Sequence, residues 1–277
     1  MICGLSTRIF ACDAVKGQSD FYLDDFYIRA RYSVFELSAQ KKLRRLFKRP
    51  GVKVDRLGLS EITPEDFADH IAEEFSRIPD LVVIDVCAGL GGNTIAFAKL
   101  KNCRKVFAVD VDAGRLGKAK YNAEEIYKVS PGLVTWLNDD FCDSSRSISC
   151  DSPVVFISPP WGGKNANKHT FDLLGNSLVR DLTRAAIGLK PQILALYLPK
   201  FVYLAEIATL GKALGFANCV LDILSLGPEP KATVVYFTRE KRGGSIPVLL
   251  QRTVAAAVYR AGVPGILGKF LASISFR

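Results

Sequence analysis

From residue 81 onward, short apolar runs alternate with longer amphipathic stretches. LVVIDVC (81–87), KVFAVDV (105–111), GLVTWLN (132–138), PVVFIS (153–158), QILALYL (192–198), ANCVLDILSL (217–226) and ATVVYFTRE (232–240) read as strands. Each is bounded by Gly, Pro, Asn or Asp and rich in β-branched and aromatic residues. GNTIAFAKL (92–100), GRLGKAKYNAEEIYKV (114–129) and the stretches around 171–188 and 201–214 read as helices. Strands joined by helical crossovers predict a mostly parallel sheet covered on both faces. The last two strands are separated only by GPEPK, which is too short for a crossover, so they are expected to pair antiparallel.

Before residue 81 the pattern changes. Residues 1–20 read as a flexible arm. In 21–78 an aromatic-rich stretch precedes a densely basic one, and Leu37, Leu43, Leu46 and Phe47 form a helical apolar stripe. Thr63-Pro64-Glu65-Asp66 has the form of a helix start, with Thr63 as cap and Pro64 first in the helix. His70, in that helix, reads as a structural histidine. The expected organisation is an arm (1–20), a small helical N-terminal lobe (21–78), a catalytic domain (79–240) and a basic extension (241–277). The extension carries no acidic residue and suits a packing helix, a basic arm or a membrane-surface segment.

Charge and composition narrow the partners. The 277 residues carry a formal net charge of +9, which favours an anionic partner, nucleic acid being the commonest. No apolar run approaches the ~20 residues of a membrane span. The N-terminal stretch, with Arg8, Asp13 and Lys16, does not read as a signal peptide. Seven cysteines without a CxxC pair argue against a zinc ribbon and suit a reducing compartment. Two histidines are too few for a histidine-rich metal centre, and no metal is expected.

Candidate chemistry sits at the strand ends. DVCAGLGGN (85–93) places Gly89 and Gly91 in a strand-to-helix turn, but Thr94 occupies the third glycine position of a dinucleotide fingerprint. Asp85 before that loop opposes a pyrophosphate and favours a cation, which points to S-adenosylmethionine rather than NAD. Asp110 ends the second strand, close to the ~20-residue offset of a ribose-binding acid, while Asp112 suits a helix cap. Asp140 and Phe141 follow the third strand, where an acid can accept from an adenine amine and an aromatic can pack on its ring. Ser158-Pro159-Pro160-Trp161 follows the fourth. Two prolines cannot continue a sheet, and they stiffen the exit that carries the hydroxyl and the indole.

SPPW resembles the (D/N/S)PP(Y/F/W) motif of class I S-adenosylmethionine-dependent methyltransferases that act on exocyclic amines of nucleobases. LGLSEITPEDFADHIA, DVCAGLGGNTIAFA, AVDVD, YNAEEIY and FISPPWGG, in that order, resemble the trimethylguanosine synthase family over about residues 26–240. The resemblance implies a seven-stranded Rossmann-like sheet with the last strand antiparallel and a helical N-terminal lobe. It implies methyl transfer from S-adenosylmethionine to N2 of 7-methylguanosine in RNA caps. It also implies a nuclear or nucleocytoplasmic place of work on small nuclear or nucleolar RNA. Carried over by position, Thr63, Pro64, Asp85, Ala88, Gly89, Gly91, Asn93, Thr94, Asp110, Val111, Asp140, Phe141 and Ser158 hold the cofactor, with Phe35 as an aromatic of the lobe. Asn122, Ser158, Pro159, Pro160, Trp161 and Lys200 meet the cap, and Ser158, Pro159 and Trp161 carry the reaction. Leu59 stands where the family has an aromatic, and Lys200 where it has an arginine. Two other readings remain: an amino-methyltransferase for another base, and a non-catalytic cap- or RNA-binding protein on the same fold.

Overall fold

The computed structural model describes residues 19–23, 26–35, 46–161 and 171–239. Residues 36–45, with Leu37 and Leu43 of the expected helical stripe, and the extension after 239 lie outside them. The strands are β1 (Ser19–Leu23), β2 (Phe26–Phe35), β3 (Leu81–Val86), β4 (Cys103–Asp110), β5 (Val134–Asn138), β6 (Val154–Ile157), β7 (Ile193–Pro199), β8 (Asn218–Leu226) and β9 (Glu229–Thr238). All seven strands expected from the pattern are present. They lie in the order β8-β9-β7-β6-β3-β4-β5, with β9 antiparallel to both neighbours. The order in which the chain adds strands reverses between β3 and β6, which run parallel, the topological switch point where open α/β sheets bind their ligands.

The sheet has nine strands rather than seven. Phe26–Phe35, inside the stretch expected to be helical, is instead a strand pairing parallel with β8, and β1 pairs antiparallel outside it. The reason lies in its side chains. Phe26, Ile28 and Ala30 are buried on one face at period two, while Arg31 and Ser33 meet a buried carboxylate. Arg31 reaches Asp222 of β8 at 2.8 Å and Glu74 at 3.0 Å; Ser33 donates to Asp222 at 2.7 Å; His70 Nε2 lies 2.8 Å from the same residue. His70 is thus a structural partner of a buried ion cluster. Burial pushes the Glu74 carboxyl up, whereas Arg31 and the His70 and Ser33 hydrogen bonds hold Asp222 down against its own desolvation.

The helices are α1 (Gly58–Glu61), α2 (Glu65–Glu73), α3 (Gly92–Ala98), α4 (Ala113–Tyr121), α5 (Phe141–Ser144), α6 (Ser177–Gly188) and α7 (Leu204–Ala213), with a π-helical turn at Asn122–Ile126. Successive residues of the central strands feed opposite cores. Leu81, Val83, Val154 and Phe156 join one cluster with Phe67, Phe75 and Phe97. Ile84, Val86, Val155 and Ile157 join the other with Leu182, Ile207 and Phe237. A strand buried on both faces reads as a continuous apolar run, which is why these strands were legible. Two helix starts differ from expectation. Helix α6 begins at Ser177, capped by the Asn176 side chain, and not near 171. Helix α2 begins at Glu65 with Pro64 in the cap position, because the Thr63 hydroxyl accepts from Asn93 Nδ2 at 3.0 Å instead of capping.

Candidate active site

A cleft of about 1100 Å³ opens across the C-terminal ends of β3, β4, β6 and β7. Its floor is the turn from β3 into α3. Gly89 and Gly91 sit at φ +54° and +84°, and a Cβ on Gly91 would lie 2.9 Å from Ala119 Cβ of α4. Glycine there lets the loop lie against α4; at Gly89 the backbone angle favours it. Cys87 takes φ +63° without being glycine, a strained turn beside the cleft. Its thiol is pushed up to about 12 by burial, with the charges of Asp110, Asp85 and Asp140 adding, so it is inert as a nucleophile.

Asp110 ends β4 and ties two turns together. One oxygen accepts from Gly89 N at 2.7 Å and the other from Asp112 N at 2.9 Å. Each carboxylate oxygen carries a second lone pair, so the group keeps acceptor capacity toward the cleft it lines. Asp112 accepts from Arg115 N and caps α4. Asp140 caps α5 through Cys142 N at 2.8 Å, and Phe141 is buried behind it; both border the cleft. Thr63, Ala88, Asn93 and Val111 border it as well.

Six residues expected at the cofactor or cap do not line the cleft. Asp85 is fully buried beneath the loop, where the Thr94 hydroxyl donates to it. Desolvation, with the nearby charge of Asp110, pushes Asp85 up to about 7 despite that hydrogen bond. Its carboxyl, and Thr94 with it, anchors the loop from below, whereas Asp110 and Asp140 line the cleft. Phe35 packs against the core, tilted on Phe67 with centroids 4.8 Å apart and edge-on to His70 at 5.4 Å. Asn122, buried at the start of the π-helical turn, accepts from Lys53 N at 2.7 Å and donates to Lys53 O at 2.9 Å, so it fastens a loop. Gly91 faces α4, and Pro64 begins α2.

The opposite wall is the strand exit. Ser158 N donates to Val86 O at 3.1 Å, so β6 follows β3 as far as the serine. Pro159 and Pro160 have no N–H. Over residues 158–160 this exit therefore presents carbonyl oxygens and one hydroxyl, with no free backbone N–H. Trp161 Nε1 donates to Tyr197 O at 3.2 Å, and the two rings lie 5.1 Å apart at 30°. The indole is half-buried, with one face held by Tyr197, and it borders the cleft together with Ser158, Pro159 and Pro160. Gly162 and Gly163 lie outside the described residues.

Beyond the indole the wall turns basic. Lys200 follows β7, its Nζ 3.7 Å from Glu229 Oε1; Lys231 Nζ lies 2.5 Å from Glu229 Oε2, and both lysines line the cleft with Phe201. Lys231, Phe201, Glu61 and Arg115 are lining residues that the sequence did not single out. Lys231 was hidden because it reads as the last residue of the connector GPEPK, whereas the strand begins at Glu229, and Arg115 because it lies among helix-face lysines. Of the basic stretch 41–56, Lys48 is paired with Asp66 at 2.5 Å, Arg49 donates to Ile126 O at 2.9 Å, and Lys53 Nζ sits 3.7 Å from the Tyr121 ring centroid. Among the described residues, no helix is long and apolar enough to cross a membrane.

One cleft with an acid at the second strand exit and an acceptor-rich fourth exit is that of a class I S-adenosylmethionine-dependent methyltransferase. The fold agrees with solved structures. Human methyltransferase 10 domain containing protein superposes with a TM-score of 0.51 at 16% identity, over 72% of this chain and 93% of that one. The magnesium protoporphyrin IX methyltransferase of Synechocystis PCC 6803, solved with S-adenosylhomocysteine, gives 0.50 at 14% identity over the same shares. Among curated proteins, trimethylguanosine synthase of Schizosaccharomyces pombe is 33% identical over 168 residues, 58% of this chain and 68% of that protein. The release factor glutamine methyltransferase of Mycoplasma mycoides is 25% identical over 38% of this chain and 37% of its own length. The sequence profile of RNA cap guanine-N2 methyltransferases matches residues 81–243, and the chain belongs to that family. Its methyl donor is S-adenosylmethionine.

Proposed function

We propose that this protein methylates the exocyclic N2 of 7-methylguanosine at the cap of RNA, with Asp110, Asp140, Gly89 and Thr63 around the donor and Ser158, Pro159, Trp161 and Lys200 around the cap. The observation that carries this reading is the acceptor-rich strand exit set beside a fixed indole in one cleft. The cleft exceeds the volume of a single small ligand, typically ~300–1,000 Å³, and has room for donor and acceptor together. Carboxylates at the donor end suit a group bearing sulfonium and ammonium charges. When bound, S-adenosylmethionine supplies an electrophilic methyl group.

The residues then have a simple task. The guanine amine is a poor nucleophile because its lone pair is delocalised into the ring. Carbonyls and the hydroxyl of the Ser158–Pro159 exit can accept both amine hydrogens, which turns the lone pair toward the donor end. Holding nitrogen and methyl ~3–3.5 Å apart in line supplies several kcal/mol by proximity. The methylated nitrogen is strongly acidic and releases its proton without a strong base. No histidine stands at this exit among the described residues: His70 is engaged with Asp222 in the core, and His169 lies outside them. Methylation at N7 makes the guanine cationic, so stacking on Trp161 gains a cation–π contribution of ~0.5–2 kcal/mol. Lys200 meets the bridging phosphates as a point charge.

The same reading, through the resemblance to the trimethylguanosine synthase family, makes small nuclear or nucleolar RNA the substrate class and the nucleus the place of work. Incubation with a 7-methylguanosine cap dinucleotide and S-adenosylmethionine, followed by product mass analysis, tests it. Mono- or dimethylation at N2 is the expected outcome. Methylation of an unmethylated guanosine cap or of adenosine in preference, or donor binding without turnover, refutes it.

A further inference from the structure

The segment 55–63 crosses the glycine loop at close range. A Cβ on Gly58 would meet Leu90 Cδ1 at 2.3 Å, and one on Gly92 would meet Ile62 Cγ1 at 3.1 Å. Helix α1 itself is only four residues long, held by Asp55 Oδ1 accepting from Gly58 N at 2.6 Å and by Ile62 N donating to Gly58 O at 2.8 Å. So short an element opens easily unless something fastens it. One guanidinium does. Arg115 Nη1, from α4, donates to Glu61 Oε2 at 2.9 Å, while its Nε lies 3.7 Å from both Asp55 Oδ2 and Asp112 Oδ2. Lys118 Nζ adds a 3.5 Å contact to Asp55. Arg115 is 17% exposed and Glu61 23%, so the pair is partly desolvated, and a planar guanidinium can serve several carboxylates at once. Both residues also line the donor end of the cleft.

We infer that Arg115 is a positioning residue: by latching Glu61 it holds α1 as the wall of the donor site, and the opening of this latch sets how fast spent cofactor leaves. The inference rests on the methyltransferase reading of the cleft. Closing elements of this kind commonly limit turnover through release. The latch acts through placement of α1, and cap recognition across the cleft does not depend on it.

A double-mutant cycle with Arg115→Gln and Glu61→Gln tests this, read by S-adenosylhomocysteine affinity and off-rate, by the Michaelis constants for donor and cap, and by thermal melting. Each single variant is expected to release S-adenosylhomocysteine ~5–20-fold faster and to raise the donor Michaelis constant by a similar factor, as for loss of one charge-assisted hydrogen bond. The cap Michaelis constant should stay put. The double variant should be no worse than Arg115→Gln alone, because Glu61 acts through that guanidinium while Arg115 also reaches Asp55 and Asp112. Lys99→Gln, which removes a comparable pair with Asp69 away from the cleft, should change neither constant. Additive losses, equal losses for donor and cap, or an unchanged off-rate overturn the latch. Should Arg115→Gln fail to fold, Glu61→Gln alone decides by its off-rate. Wild-type protein that binds no S-adenosylhomocysteine overturns the methyltransferase reading itself, a result separate from failure of the latch.

Discussion

The two ends of the cleft are built from opposite materials. At the β4 and β5 exits stand carboxylates: Asp110 and Asp140 hold backbone N–H groups, and Glu61 and Asp112 surround Arg115. At the β6 and β7 exits stand prolines, an indole and a phenyl ring, then two lysines bridged by Glu229. In the proposed function the acidic end takes the cationic donor and the basic end the phosphate-bearing acceptor. The donor end is fixed by hydrogen bonds and ion pairs, whereas the acceptor end is fixed by ring packing and by the geometry of proline. Damage should therefore separate cleanly between them.

The largest effect is expected at the indole. Trp161→Ala should lower cap methylation ~10–1,000-fold, from lost stacking of ~1–3 kcal/mol and the cation–π contribution of ~0.5–2 kcal/mol. Donor affinity and melting temperature should hardly move, and Trp161→Phe should retain partial activity. Loss of donor binding in parallel would show that the two ends are one structural unit.

At the other end, Asp110→Ala should weaken S-adenosylmethionine binding by ~1–3 kcal/mol, measured by calorimetry, since it removes a charged acceptor that also holds Gly89 N. Asp110→Asn keeps one acceptor oxygen for Gly89 and should lose less. A folded Asp110→Ala protein with unchanged affinity would dissolve the comparison.

Next comes the buried acid beneath the donor loop. Asp85 is raised to about 7 from an ordinary 3.8, so between those values the folded state holds a proton that the unfolded chain has lost. Stability from this group is present at low pH and falls as pH rises through the window, by up to about 1.4 kcal/mol per pH unit. Glu74, raised as well, acts in the same direction. Asp85→Asn should therefore gain melting temperature relative to wild type as pH goes from 5 to 8. A difference independent of pH would show that Asp85 ionises normally.

The smallest effect concerns the basic end. Lys200→Gln should flatten the salt dependence of activity on capped RNA by about 0.7–0.9 in the log–log slope, one phosphate contact's worth. It should leave the slope for donor binding alone. A slope that does not change would return Lys200 to a solvated role beside Glu229.

The sequence by itself determined most of the scaffold. Seven strands, their mostly parallel order and the antiparallel last pair were legible because a strand buried on both faces must be apolar throughout. A five-residue connector likewise cannot carry a crossover. It also determined the rigid exit, since two prolines fix their own geometry wherever they occur. Tertiary structure decided the rest. Residues 26–35 became a strand because Arg31 and Ser33 find Asp222, nearly two hundred positions along the chain, an encounter no local pattern records. Asp85, Asn122 and Phe35 look like site residues in sequence yet face inward, while Glu61, Arg115 and Lys231 look like ordinary surface charge yet line the cleft. Which side of a turn a charged group faces depends on what packs beneath it. That is set by long-range contacts, so spacing alone could bring these residues to the right loops but could not choose among them.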